Sequence, residues 1–410
     1  MNPFRIRIIL MMAILLSSCV PLGDNIPTSN TLPSFSSTTP QQTEPVIAPN
    51  TSATASDKIL EICPDQIPLP KQLPLDGKLL FWEYPKNFVL SFPELAKKEF
   101  ENTNSTDISI SPNSNYLATV NEHFDNQTDT SIPFLEIIDS NDQIVFSIPW
   151  DENWTEGSPT WINNEELLLR TNQDNILTIY NPFSDTTKNK VFSLPGEEGM
   201  HIVASDPFFN VVAYAYSIYK NPSPFDLNSL RVWNEEKQTE ILDLRDEYST
   251  LVSDIDLSNN GKLMVITTVT PNEDKDHSEI IIVDVENDTF SQVSDFRKIF
   301  DEILVSDIQW SLDDKIIYLW AAINRGNYEL YSLDIQTQQL MHFCFQGLKG
   351  TGTQIVWVPN APEYYFVTDS SKFANSGTEK WDVLLVDSIN NISYKVAENI
   401  SLVGWLISKK

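Results

Sequence analysis

The sequence predicts an all-β chain of about seven four-stranded sheets, each one unit of a repeat, with the first and last strands meeting to close the set. Three observations carry this. Ten Trp, thirteen Tyr and twenty-one Phe stand against twelve Gly, a balance that favours strands over a helical bundle. Past about residue 75, short runs rich in Val, Ile, Phe, Tyr and Trp alternate with clusters of Asn, Asp, Ser and Pro. These runs also recur. Taking Ile110, Trp161, Ala204, Leu257, Trp310, Trp357 and Trp405 as equivalent anchors, the intervals run from 43 to 53 residues and average about 49, a length suited to four strands.

From the N-terminus, Asn2 to Arg7 is a short basic stretch and Ile8 to Leu16 an uninterrupted apolar run of nine. A membrane span needs roughly 20 such residues, so the run has the shape of a signal-peptide core. Directly after it, Leu16-Ser17-Ser18-Cys19 resembles the lipobox of bacterial lipoproteins. The resemblance implies that residues 1–18 are removed as a signal peptide and that the thiol of Cys19 is diacylated, since one acyl chain holds only marginally and two or three hold stably. The alternative is an ordinary secretory signal with an incidental Cys. Val20 replaces the Asp that resembles an inner-membrane retention signal, which points to an outer-membrane or exposed position. Residues 19–57 are then the lipidated Cys and a tether. From Pro21 to Asp57 there are six Pro, six Ser and seven Thr, with too little apolar surface to offset the entropy of folding, so a disordered spacer is expected.

Residues 58–410 are the body. The best repeat copy is Asp107-Ile108-Ser109-Ile110-Ser111-Pro112-Asn113-Ser114-Asn115-Tyr116-Leu117. It returns as Asp254-Ile255-Asp256-Leu257-Ser258-Asn259-Asn260-Gly261-Lys262-Leu263-Met264, and again as Asp307-Ile308-Gln309-Trp310-Ser311-Leu312-Asp313-Asp314-Lys315-Ile316-Ile317. Looser copies begin at Thr160-Trp161, Val203-Ala204, Val356-Trp357 and Gly404-Trp405. Later in each unit a β-rich run is closed by a turn-forming residue: Asp139, Asn181, Asn234, Asp284, Asp334 and Asp387. The pattern resembles TolB-like and WD-repeat-like β-propellers, whose unit has a Ser-Pro-Asp-Gly-Lys-type turn before an apolar strand. The resemblance covers about residues 75–408 and implies a β-propeller of about seven four-stranded blades. Asp76-Gly77-Lys78-Leu79-Leu80-Phe81-Trp82 looks like a blade that lacks its first strand, and Ile400-Ser401-Leu402-Val403-Gly404-Trp405-Leu406 like a first strand without a blade. Their pairing would close the ring and hide both edges.

Composition narrows function by exclusion. With 57 Asp plus Glu against 27 Lys plus Arg, a formal charge of −30 repels phosphate backbones and argues against a nucleic-acid partner. Apolar residues at 41% allow a substantial core. Three Cys form neither a zinc cluster nor a disulfide scaffold, but Cys63 and Cys344 are candidates for one bridge in an exported chain, two buried thiols being the alternative. There is no G-x-S-x-G or H-E-x-x-H motif, and His123, His201, His277 and His342 fall in four different units. Asp107, Asp254 and Asp307 share one repeat position, which would place them together on a channel rim as an acidic cluster; the competing reading has each capping its own strand. The acidic stretches 121–129 and 272–279 lack ordered calcium-loop spacing and read as hairpin tips.

The expectation is a lipid-anchored, extracytoplasmic propeller of the cell membrane or outer membrane. It would act as a protein-interaction or ligand-binding module, not as an enzyme, without cofactor or metal. Its partners would be the membrane, through the lipid on Cys19, and another envelope or secreted protein. The alternatives are a glycan-acting hydrolase with its site in the channel, or a lipoprotein that captures polymers or peptides.

Overall fold

The computed structural model describes residues 59–407, apart from 84–85, 104–107, 126–129, 152, 155–158, 171–174, 195–199, 217–227, 245–250, 271–276, 295, 325, 327, 346–352, 370–381 and 399. Cys19, the signal sequence and the tether lie outside the described residues.

The described strands form seven antiparallel blades, each a four-stranded meander lettered a to d. Blade 1 is Ser401–Leu406, Gly77–Glu83, Lys86–Phe92 and Ala96–Phe100; blade 2 is Ile108–Ile110, Tyr116–Asp125, Thr130–Asp139 and Ile144–Pro149. Blade 3 is Thr160–Trp161, Leu167–Arg170, Ile176–Asn181 and Thr186–Val191; blade 4 is Met200–Ser205, Val211–Tyr216, Asn228–Asn234 and Thr239–Asp243. Blade 5 is Leu251–Leu257, Leu263–Thr270, His277–Asp284 and Thr289–Gln292. Blade 6 is Ile303–Trp310, Ile316–Ile323, Tyr328–Asp334 and Leu340–Phe343; blade 7 is Thr353–Trp357, Tyr364–Asp369, Asp382–Asp387 and Ile392–Glu398. All seven anchors fall on a strands, and a strands of neighbouring blades touch at the 7–1, 1–2, 2–3 and 5–6 joints.

The rhythm has a physical origin in two turns. Between strands a and b, the hydroxyl of Ser111, Ser258 or Ser311 accepts the N–H of Tyr116, Leu263 or Ile316 at 2.9–3.0 Å. Ser114, Gly261 and Asp314 follow at positive φ, the left-handed position such turns need. In blade 4 the same role is taken by Asp206, whose Oδ1 accepts from Val211 at 2.6 Å, with Phe209 at positive φ. The anchor of that blade is therefore Ser205 and not Ala204; a bulge between Ile202 and Ala204 accounts for the one-residue offset. Between c and d, Asp139, Asn181, Asn234, Asp284, Asp334 and Asp387 each accept a backbone N–H two to four residues on.

The core lies between blades. Leu79, Phe92, Phe366, Leu402 and Trp405 are buried in one cluster where the chain ends meet, with Trp405 stacked 5.7 Å from Phe366. Strand a of blade 1 pairs antiparallel with strand b, Trp405 opposite Leu79 and Leu402 opposite Phe81, so the pairing expected of the two ends is present. Gly404 lets the strands approach closely there: a Cβ would lie 2.2 Å from Ile110 Cδ1 of blade 2, so that side chain would have to shift.

Two blades carry a fifth strand that the repeat does not announce. Leu60–Ile62 adds parallel to strand d of blade 6, and Asp65–Ile67 parallel to strand d of blade 7. Between them Cys63 is joined to Cys344 by a disulfide, with Cα atoms 4.7 Å apart. Blades 5 and 6 also touch through one parallel bridge, His277 opposite Ile303.

Candidate functional site

The a strands of blades 5 and 6 run side by side and carry the chemistry. In each, a bulge falls just before the repeat aspartate: the register shifts between Val252 and Asp254 in blade 5, and between Val305 and Asp307 in blade 6. Bulges re-aim side chains and break regular pairing. Past the bulge, strand alternation puts Asp254 and Asp256 on one face. That face meets blade 6: Asp254 Oδ2 accepts the N–H of Ile308 at 3.0 Å, and Asp256 Oδ2 that of Trp310 at 3.4 Å. Asp254 Oδ1 also accepts from Ile255, and Asp256 Oδ1 from Leu257.

These carboxyls border a recess of about 390 Å³ lined by Asp254, Asp256, Asn259, Gln309, Trp310 and Trp357, with short apolar contributions from the same strands. No cation is among its described lining residues. Burial pushes the Asp254 carboxyl up to about 7 against two backbone hydrogen bonds, and the nearby charges of Asp307 and Asp256 push the same way. Burial likewise pushes Asp256 up to about 6. Asp307 is raised by burial and pulled back by the Ser306 hydroxyl, which donates to it at 3.0 Å. Burial thus raises Asp254 and Asp256 toward neutrality and Asp307 above its ordinary value, and such raised acids are concentrated at sites of proton transfer.

Two of the three carboxylates placed on a rim by repeat position, Asp254 and Asp307, do come within reach of each other's charge. Asp107 lies outside the described residues. Both described members bond locally, Asp254 accepting the N–H of Ile255 and Asp307 the Ser306 hydroxyl, and both lie inside their strands and not at the strand entry that a cap would occupy. Sequence reasoning missed Asp256, Gln309 and Trp357. Asp256 stands two residues after Asp254, and the period of two within a strand was the signal that could have found it.

Two of the histidines pair within their own blades. His123 Nε2 lies 3.0 Å from the buried Glu136 of its own blade, and His342 Nε2 lies 2.9 Å from Glu329 of its own. Of the two acidic stretches only 121–125 and 277–279 are described, and in the second Glu279 accepts from Ser294 at 2.7 Å. Among the described residues no group of three or more His, Cys, Asp or Glu is placed to hold a metal ion.

No family model and no curated protein matches the sequence. Solved structures do. The periplasmic gluconolactonase PpgL of Pseudomonas aeruginosa is 11% identical over 81% of this chain and 96% of its own, with a TM-score of 0.47. An oligogalacturonate lyase in complex with manganese is 10% identical over 79% and 86%, with a TM-score of 0.46. The Cps50 (Swd1) beta-propeller domain of Myceliophteria thermophila is 10% identical over 78% and 99%, with a TM-score of 0.45. The expectation that the chain is not an enzyme is corrected here, since two of these three neighbours are named for catalytic activities.

Proposed function

We propose that this chain is a glycan-acting hydrolase, held outside the cytoplasm by a lipid on Cys19, with its site in the recess where blades 5 and 6 meet. The observation that carries the reading is a recess of about 390 Å³ in which two carboxyls on one strand face stand beside the half-buried Trp357. Indole faces suit the apolar faces of sugar rings, and paired carboxyls supply the acid and base that glycoside hydrolysis needs. Asp254, the more strongly raised of the pair, holds a proton for the leaving oxygen. Asp256 takes the proton of the attacking water as that water bonds to the anomeric carbon and the glycosidic bond breaks. A lining with carboxyls and no cation repels uronates and favours neutral sugars.

The test is release of reducing ends from a panel of neutral and uronate oligosaccharides by the full chain and by Asp254→Asn. Turnover confined to neutral substrates and lowered at least about 100-fold by the substitution is expected. No turnover of any neutral glycan, or turnover untouched by Asp254→Asn, contradicts the reading.

A further inference from the structure

The segment before blade 1 has no part in the repeat, yet it is tied down at every stage of its path. Ile59 packs against the blade 6 core. Leu60, Glu61 and Ile62 pair with Met341, His342 and Phe343, and the carbonyl of Ile62 accepts the N–H of Cys344 at 3.0 Å. Cys63 is bonded to Cys344. Asp65, Gln66 and Ile67 pair with Ile392, Ser393 and Tyr394, and the N–H of Asp65 donates to Asn391 at 3.1 Å. Leu73 and Leu75 are buried in the cluster that holds Trp405 and Leu402, and Leu69 packs against it. The Asn360 amide of blade 7 donates to the carbonyl of Asp76, one residue before strand b of blade 1. The path therefore runs blade 6, blade 7, blade 1, across the joint where the chain's two ends meet.

A ring closed only by Ser401–Leu406 depends on one six-residue strand. We infer that residues 59–76 are a strap forming a second closure of the ring, with Cys63–Cys344 the covalent latch that keeps blades 6 and 7 drawn onto blade 1 when the closing strand opens. The two closures share the Trp405 cluster, so they act on the same opening. Either alone holds the joint part of the time, and losing both releases it. This concerns how the ring stays shut and is independent of what the recess binds.

The test is a double-mutant cycle read by amide exchange at Gly77–Glu83 and Ser401–Leu406. The full chain is compared with Leu402→Ala, with Cys63→Ser plus Cys344→Ser, and with all three together. Leu402 is buried in the closing strand, so its truncation loosens that strand while leaving the disulfide and the strap's strand pairing in place. Two latches on one opening predict that Leu402→Ala accelerates exchange in these strands at least about tenfold more without the disulfide than with it. If the triple variant does not fold, reduction of the folded Leu402→Ala chain by excess dithiol supplies the same comparison. An acceleration equal with and without the disulfide, by either route, overturns the inference.

Discussion

The joint between blades 2 and 3 and the joint between blades 5 and 6 are built on the same register and differ in the residue just before the anchor. In the first, Ser109 stands just before the anchor. Its hydroxyl accepts the N–H of Trp161 at 3.3 Å, and its carbonyl accepts the Trp161 indole N–H at 3.0 Å. In the second, Asp256 takes the place of Ser109 and Trp310 the place of Trp161. The backbone bond survives at 3.4 Å, but its acceptor is a half-buried carboxyl, and the Trp310 indole N–H has no acceptor among the described residues. A serine would hold the strands together without an ionisable group. Using aspartate there, next to a second aspartate, costs desolvation energy that the fold does not need. Sites that break a local rule at a cost are where function is to be sought.

The comparison can be broken in order of effect. The largest change expected is in turnover: Asp254→Asn lowers it at least about 100-fold while leaving the Ile308 N–H an acceptor. Next is the pH profile of the intact chain. Asp256 must be ionised and Asp254 protonated, so activity follows a narrow bell with limbs near 6 and 7. A flat profile between pH 5 and 8 counts against these roles.

Stability follows with its own sign. Asp254, Asp256 and Asp307 are raised above their unfolded values, so the stability they contribute is full below about pH 4 and is lost as pH rises through their native values, near 7 for Asp254. Asp334 acts oppositely: held down by the N–H of Thr337, it contributes above its unfolded value and loses that as pH falls. Asp254→Asn should therefore flatten the alkaline loss, by about 2–4 kcal/mol at most, in denaturant titrations at pH 5 and pH 8. Smallest is the exchange of residues between joints. Asp256→Ser should raise stability at pH 8 by about 1 kcal/mol, and Ser109→Asp should lower it there more than at pH 5. If the two substitutions have the same pH dependence, the joints are not distinct.

What the sequence revealed and what it hid divide along the same line. The blades were legible because each a–b turn needs a side-chain acceptor at Ser111, Ser258 or Ser311 and a left-handed residue after it, and each c–d turn needs an Asp or Asn. Such local demands leave residues at fixed spacing. The closing strand was legible because Leu402 and Trp405 repeat the pattern of other a strands. The strap was not, because its strands are three residues each and pair in parallel with segments some 280 and 330 positions away, as Leu60 with Met341 and Asp65 with Ile392 show. Asp254 and Asp307 were found by equivalence alone. That they are desolvated, and that Asp256 joins them around a recess, depends on packing between blades, which no one-dimensional pattern encodes.

The joint of blades 5 and 6 is expected to hold two acids poised near neutrality. Carboxyl ¹³C titration of the folded chain, assigned by Asp254→Asn and Asp256→Ser, measures this directly. Midpoints of about 7 for Asp254 and about 6 for Asp256 are expected. Midpoints for both near 4, the range of an exposed aspartate, would contradict the account.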